Sequence, residues 1–239
     1  MKIQVDPKYR SFYYQDVETY PELNLDPKTT ALLLVDLQNE FAHDEMGEAL
    51  ELKKEGTWDR WKYFRDRLKT TTIPNARRLL DYFRDHELRV TFGRIACLLP
   101  DGEDRETVQK SDGWNGIFIH ADSTEAAMVE ELTPQDNELV FNKTTDSVTT
   151  GTNICRVLRN MGIKTVVVGG IVTDQCVAGT VRGLADDSFQ VICVEDACAA
   201  ATQELHDAEL KIMNLIYCQV LSTDQTIALL DEAREKHTK

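Results

Sequence analysis

Thr165-Val166-Val167-Val168-Gly169-Gly170-Ile171-Val172-Thr173-Asp174-Gln175-Cys176-Val177 reads as an apolar strand, a glycine turn and the opening of a helix. Unbroken apolarity suits a strand covered on both faces, as in a parallel sheet between helices. Besides its strand, Lys164 to Val168, comparable runs lie at Thr30 to Val35, Leu88 to Ile95, Glu138 to Asn142, Phe189 to Val194 and Tyr217 to Leu221. Helical patterns fall between most of them. Pro74 opens one in which Ala76, Leu79, Leu80 and Phe83 recur at helical spacing, and Thr152 to Met161 supplies another. The alternation predicts an α/β fold, a doubly wound, mostly parallel six-stranded sheet with helices on both faces.

In the quoted stretch Thr173 or Asp174 can cap the helix, which places Cys176 in its first turn. Free N–H groups and the positive end of the helix dipole there favour thiolate over thiol, and the same groups can hold an oxyanion. An arbitrary cysteine is more often a buried structural thiol, and that reading is applied to Cys97, Cys155, Cys193, Cys198 and Cys218. A nucleophilic thiol also needs a proton acceptor. His43, His86, His120, His206 and His237 stand in polar or helix-edge contexts and read as surface residues. Asp36 ends the first buried strand, at the sheet edge where ligand sites gather, and can exchange a proton with the thiol if it is not merely a cap. Lys143 follows the third predicted strand and should reach the same rim, although a lysine so placed is more often solvated.

The chain has 239 residues, somewhat above the ~100 to 200 of an ordinary domain. An extended arm over residues 1–28 and a single domain over 29–239 are expected. The net charge of -14 disfavours nucleic acid and anionic membrane surfaces as partners. Without a long apolar run or a signal-peptide pattern, a cytoplasmic protein is expected, and the six scattered cysteines suit a reducing compartment. Met46 to Lys69 places Trp58, Trp61, Phe64 and Leu68 at helix-like spacings, which predicts an amphipathic helix that packs on the domain, covers the site or makes an oligomer contact. Leu98 to Thr133 reads as a long loop followed by a short helix at Glu125 to Leu132.

Three motifs resemble those of the isochorismatase-like cysteine hydrolases, the superfamily that includes nicotinamidases, N-carbamoylsarcosine amidases, biuret hydrolases and ureidoacrylate hydrolases. They are Ala31-Leu32-Leu33-Leu34-Val35-Asp36-Leu37-Gln38-Asn39-Glu40-Phe41, then Lys143-Thr144-Thr145-Asp146-Ser147 with Gly151-Thr152, then Gly170 to Val177 with Val194-Glu195-Asp196-Ala197-Cys198-Ala199. The resemblance implies a catalytic triad of Asp36, Lys143 and Cys176, a cis bond between Ile171 and Val172, and an oxyanion hole from the Val172 and Cys176 amides. It further implies a homo-oligomer, dimer or tetramer. Gln38, Phe41, Trp114, Phe118 and Ile171 are the candidate substrate contacts. No Asp-x-His pair lies between Asp36 and Lys143, so neither a metal nor another cofactor is expected. Thr149 stands where the family often has an aromatic residue, and Ser188 where it commonly has glycine before the fifth strand.

The residues and the resemblance together predict a metal-independent amidohydrolase. It would cleave the C–N bond of a small carboxamide, ureido or carbamoyl compound through a thioester and release ammonia. The alternatives are an isochorismatase-type vinyl-ether hydrolase using Asp36 without covalent catalysis, and a non-catalytic binding protein on the same fold. A redox role for Cys176 lacks a nearby resolving cysteine.

Overall fold

The computed structural model describes residues 2–23, 25–111 and 116–238. Its strands are β1 (Thr30–Val35), β2 (Arg89–Ile95), β3 (Leu139–Lys143), β4 (Thr165–Ile171), β5 (Gln190–Ala199) and β6 (Gln219–Leu221). All pair in parallel in the order β3-β2-β1-β4-β5-β6. The helices are α1 (Asn39–Ala42), α2 (Glu48–Lys54), α3 (Lys62–Arg67), α4 (Ile73–Asp85), α5 (Val148–Gly151), α6 (Ile154–Asn160), α7 (Ala178–Asp186), α8 (Gln203–Met213) and α9 (Thr223–Thr238). The doubly wound sheet read from the apolar runs is therefore the fold observed.

Alternation along β1 divides the core into two layers. Leu32 and Leu34 face Leu79, Leu80 and Phe83 of α4 and Leu230 of α9, whereas Ala31, Leu33 and Val35 face Leu158 of α6, Val181 of α7 and Leu210 of α8. Both faces of β1 and β4 are buried along their whole length. That is why their sequences are apolar without a polar alternate. After β1 the chain builds β2 and β3 on one side, then returns to lay β4 against the other side of β1. Connections leaving β1 and β4 diverge at this switch point, and a crevice opens between them. Gly170 permits the close approach there. It has φ +131, and a Cβ at this position would collide with the Val35 backbone.

Several local expectations change. Pro74 lies within a continuous helical run, since α3 passes through a π turn at Leu68–Thr72 into α4. Proline offers no N–H to the carbonyl four residues before it, and the wider turn falls where that bond would be missing. Met46 to Lys69 is not one helix but α2, a 3-10 turn at Trp58–Trp61 and α3. The short helix expected at Glu125 to Leu132 shrinks to a 3-10 turn at Glu130–Leu132. The described part of the arm, residues 2–23 and 25–28, is interrupted by 3-10 turns at Pro7–Tyr9, Phe12–Tyr14 and Pro27–Thr29, the last running on to the start of β1, instead of running extended throughout. It covers the β6 edge, where the Tyr20 hydroxyl donates to the Val220 carbonyl at 2.6 Å.

Ser188 has φ +68, in the left-handed region that favours glycine. Ser188→Gly is expected to stabilise the fold by roughly 0.5–1 kcal/mol, the relief of that strain less the added chain entropy of glycine. An unchanged guanidinium chloride midpoint would count against it.

Candidate active site

Asp36 follows β1 with φ +54, an uncommon conformation for a non-glycine residue and one often found at functional sites. Its backbone N–H donates to the Gly93 carbonyl at 2.8 Å, and its Oδ1 accepts from the Ile95 N–H at 3.0 Å. The side chain therefore points across the carboxyl end of the sheet. Lys143 closes β3 with its side chain wholly buried. Its ammonium has three protons and three acceptors. Asp36 Oδ2 lies at 2.8 Å, the Thr145 carbonyl at 3.1 Å and Cys176 Sγ at 3.4 Å. Three strand ends thus bring their charged or nucleophilic side chains into one contact.

Cys176 sits in a π turn, Thr173–Val177, that leads into α7. The Val172 carbonyl accepts from the N–H groups of Gln175 at 3.1 Å and Val177 at 3.2 Å. An α-helix would have given that carbonyl to the Cys176 N–H, so the wider turn moves this amide off its usual partner. The peptide bond between Ile171 and Val172 is cis. Neither Thr173 nor Asp174 caps the helix. Val172 occupies the cap position without a side-chain bond, and the Thr173 hydroxyl is engaged with His206 instead.

The charge state also departs from expectation. Burial, then the Asp36 carboxylate, raises the Cys176 thiol well above the ordinary cysteine value, with only part of this offset by Lys143. The dipole of one turn does not outweigh that cost, and the resting sulfur carries its proton. Burial also raises Asp36, against the pull of Lys143. For Lys143, burial works against the charge, but Asp36 and Cys176 outweigh it and hold the ammonium above the ordinary lysine value. The arrangement is a thiol beside a carboxylate of raised basicity, with a locked ammonium between them.

The buried Lys143 ammonium lies behind Asp36 and Cys176, which line a cavity of about 250 Å³ in the crevice between β1 and β4. That is about eight times the liquid volume of a water molecule, room for a small metabolite. A model of the isochorismatase domain matches residues 30–225. The chain belongs to the isochorismatase family. It is 28% identical over 192 residues to the uncharacterized family protein YwoC of Bacillus subtilis, covering 80% of this chain and 88% of that one. It is 24% identical over 210 residues to the ureidoacrylate amidohydrolase RutB of Acinetobacter baylyi, covering 86% and 85%. The crystal structure of a cysteine hydrolase from Pseudomonas syringae superposes with a TM-score of 0.75 at 20% identity, covering 91% of this chain and 99% of that one.

Within this family member, Phe41 and Ile171 face the cavity as the sequence suggested. Gln38 does not. It is fully buried, with Nε2 donating to the carbonyls of Ile95 at 2.8 Å and Ala126 at 3.2 Å while Oε1 accepts from the Ile95 N–H at 2.8 Å. Its amide is spent on fixing the loop after β2. Phe118 turns away, 55% exposed and packed over Gly102, and Ile117 takes the inward position. Trp114 lies outside the described residues. Thr149 is not at the cavity wall and shares a 2.7 Å hydroxyl contact with Ser147. The segment around Met46 to Lys69 supplies Glu48, Trp61 and Phe64 to the cavity, which makes it a cover for the site. Among the described residues, no three His, Cys, Asp or Glu side chains converge as a metal site.

Two groups were missed in the sequence. Asp146 lies in the lysine motif, three residues past Lys143, and its Oδ1 stands 3.7 Å from Cys176 Sγ while accepting from Gln109 Nε2 at 2.6 Å. His206 of α8, read as a surface residue, is fully buried. Arg67 can only donate, so its 2.9 Å contact makes His206 Nε2 an acceptor and leaves the proton on Nδ1, which donates to the Thr173 hydroxyl at 2.8 Å. Arg67 also reaches the carbonyls of Cys198 at 2.9 Å and Glu195 at 3.0 Å. This network ties the start of the cysteine turn to α3 and β5.

Burial holds the His206 pKa below the ordinary 6.5, against the pull of Glu195 and with the help of Arg67. The unfolded chain therefore binds more protons in that range. The stability this neutral histidine contributes is present above about pH 6.5 and declines, by up to about 1.4 kcal/mol per pH unit, as pH falls through its folded value. His206→Gln keeps one acceptor and one donor but cannot titrate. Calorimetric unfolding at pH 7.5 and pH 5 is expected to show a smaller acid loss in the variant than in the parent, and equal losses would remove His206 from this role.

Proposed function

We propose that the chain is a cysteine amidohydrolase that cleaves the C–N bond of a small carboxamide, ureido or carbamoyl compound and releases ammonia. The observation that carries this reading is the buried Lys143 ammonium held at once by Asp36 at 2.8 Å and Cys176 at 3.4 Å, with that carboxylate and that sulfur both lining one cavity. Family membership and the likeness to an amidohydrolase acting on ureidoacrylate support it.

Asp36 takes the thiol proton as sulfur bonds to the substrate carbonyl carbon, and the C=O electron pair moves to oxygen. The Val172 and Cys176 amides receive that oxyanion. The Asp36 carboxyl then passes its proton to nitrogen, the C–N bond breaks, ammonia leaves and a thioester remains. Water gives a proton to Asp36 while attacking the thioester. Collapse breaks the C–S bond, and the proton returns from Asp36 to sulfur. Lys143 keeps its charge throughout, balancing whichever of carboxylate or thiolate is anionic. An ammonia-release screen over small amides and ureas, with Cys176→Ala as the blank, tests the reading. Equal release by parent and variant would end it.

A further inference from the structure

The cavity wall is more acidic than the amidohydrolase chemistry needs. Asp36 and Asp146 touch Lys143 and the sulfur, but Glu48 and Asp174 face the same space. Glu48 is answered by Arg65 at 3.4 Å, and Arg65 is further spent on the Phe41 carbonyl at 2.7 Å. Asp174 is answered by nothing among the described residues. Asp174 is half-buried, and its Oδ1 is shut off from solvent with no hydrogen-bond partner, two residues before the nucleophile in the same π turn. Leaving a buried carboxylate oxygen without a donor is costly, so a donor from the ligand is what this wall lacks.

Two further observations specify that donor. Phe41, Trp61 and Phe64 line the cavity together, with Trp61 and Phe64 edge to face at 5.9 Å, and aromatic faces attract cations. None of the described residues lining the cavity is Lys, Arg or His. An adjoining groove of about 460 Å³ shares Phe41, Glu48 and Ile117 with the cavity and adds Glu40, Glu51, Glu125 and His120. Acidic side chains outnumber the one basic residue, His120, along the described lining of both spaces, so a carboxylate on the substrate would meet net repulsion.

We propose, building on the amidohydrolase function proposed above, that the substrate is an amide whose remote end is a protonated amine, held by Asp174 and the aromatic wall while its carbonyl lies at Cys176. The enzyme selects against carboxylate-bearing amides and ureido acids. Three amides of matched length separate the possibilities: 4-aminobutanamide, pentanamide and glutaramate. Ammonia release is expected to fall in that order, with kcat/KM at least about tenfold higher for the cation than for the neutral amide, the effect of a charge-assisted hydrogen bond of ordinary strength. Asp174→Asn, nearly isosteric and checked for folding by circular dichroism, should lower that ratio by about tenfold, leaving only the smaller preference of the aromatic wall and the remaining carboxylates. Calorimetric binding of the same amides to Cys176→Ala reads the charge preference without turnover. If that variant binds the cation preferentially while the parent releases no ammonia, the amidase reading fails and the charge selection stands. Equal or better use of glutaramate, a ratio unmoved by Asp174→Asn, or no charge preference in binding to Cys176→Ala overturns the proposal.

Discussion

Cys176→Ala is expected to reduce ammonia release to the uncatalysed background, and Asp36→Asn to lower kcat/KM by about 10³-fold or more. The two losses have different origins. Without sulfur there is no acyl acceptor, and alanine offers no substitute. Without the carboxylate the thiol keeps its proton, because burial already holds its pKa high and the neutral amide cannot take that proton. Groups acting in one step lose most of the effect when either is removed, so the double variant should be little worse than Cys176→Ala alone. Asp146→Asn supplies the contrast. Asp146 also touches the sulfur, at 3.7 Å, but it is tied to Gln109 and has no ammonium steadying it through the transfer. Its loss should cost under about tenfold, the scale of one polar contact. If Asp146→Asn proved as severe as Asp36→Asn, the role of base would pass to Asp146.

The contrast also shows which parts of the site a sequence carries. Strands β1 and β4 are legible because burial on both faces removes every polar alternate, and Asp36 stands out as the first charge after such a run. Cys176 is legible for the same reason, as the polar end of a strand, glycine turn and helix opening. Lys143 is less so, because β3 is an edge strand with exposed Leu139 and Val140, and its signal rests on the motif. Other errors arise from geometry that no periodicity encodes. Phe118 and Ile117 are neighbours in an irregular segment, where nothing fixes which of two adjacent apolar residues turns inward. Gln38 resembles a ligand contact because it is polar beside the catalytic aspartate, yet its amide is consumed by backbone groups more than 50 positions away in sequence. His206 occurs in the polar pattern of α8, and only the tertiary packing of Arg67 and Thr173 around it shows that it is buried. The resting thiol is the same kind of case. Local helix physics argued for a thiolate, and the depth of the crevice decided against it.

Lys143→Met is expected to cost stability as well as activity, by roughly 3–5 kcal/mol at pH 8. Methionine fills much of the buried volume but leaves Asp36, with a side chain only 3% exposed, without a counter-ion. The remedy open to the variant is to protonate Asp36. Burial already raises that carboxyl, and losing the ammonium removes the main opposing influence. With its folded pKa further above the unfolded value, the folded variant binds more protons than the unfolded chain across that interval. Its stability therefore falls as pH rises through the window and recovers on acidification, so the deficit against the parent should be smaller at pH 5 than at pH 8. Adding Asp36→Asn should restore most of the loss, because the penalty comes from an unpaired charge and the double variant has none. Calorimetric unfolding of the single and double variants at both pH values measures each step. A single variant within about 1 kcal/mol of the parent at pH 8 would mean that water or a rearranged donor reaches Asp36, and the sealed ion pair would no longer account for how the site holds its charge.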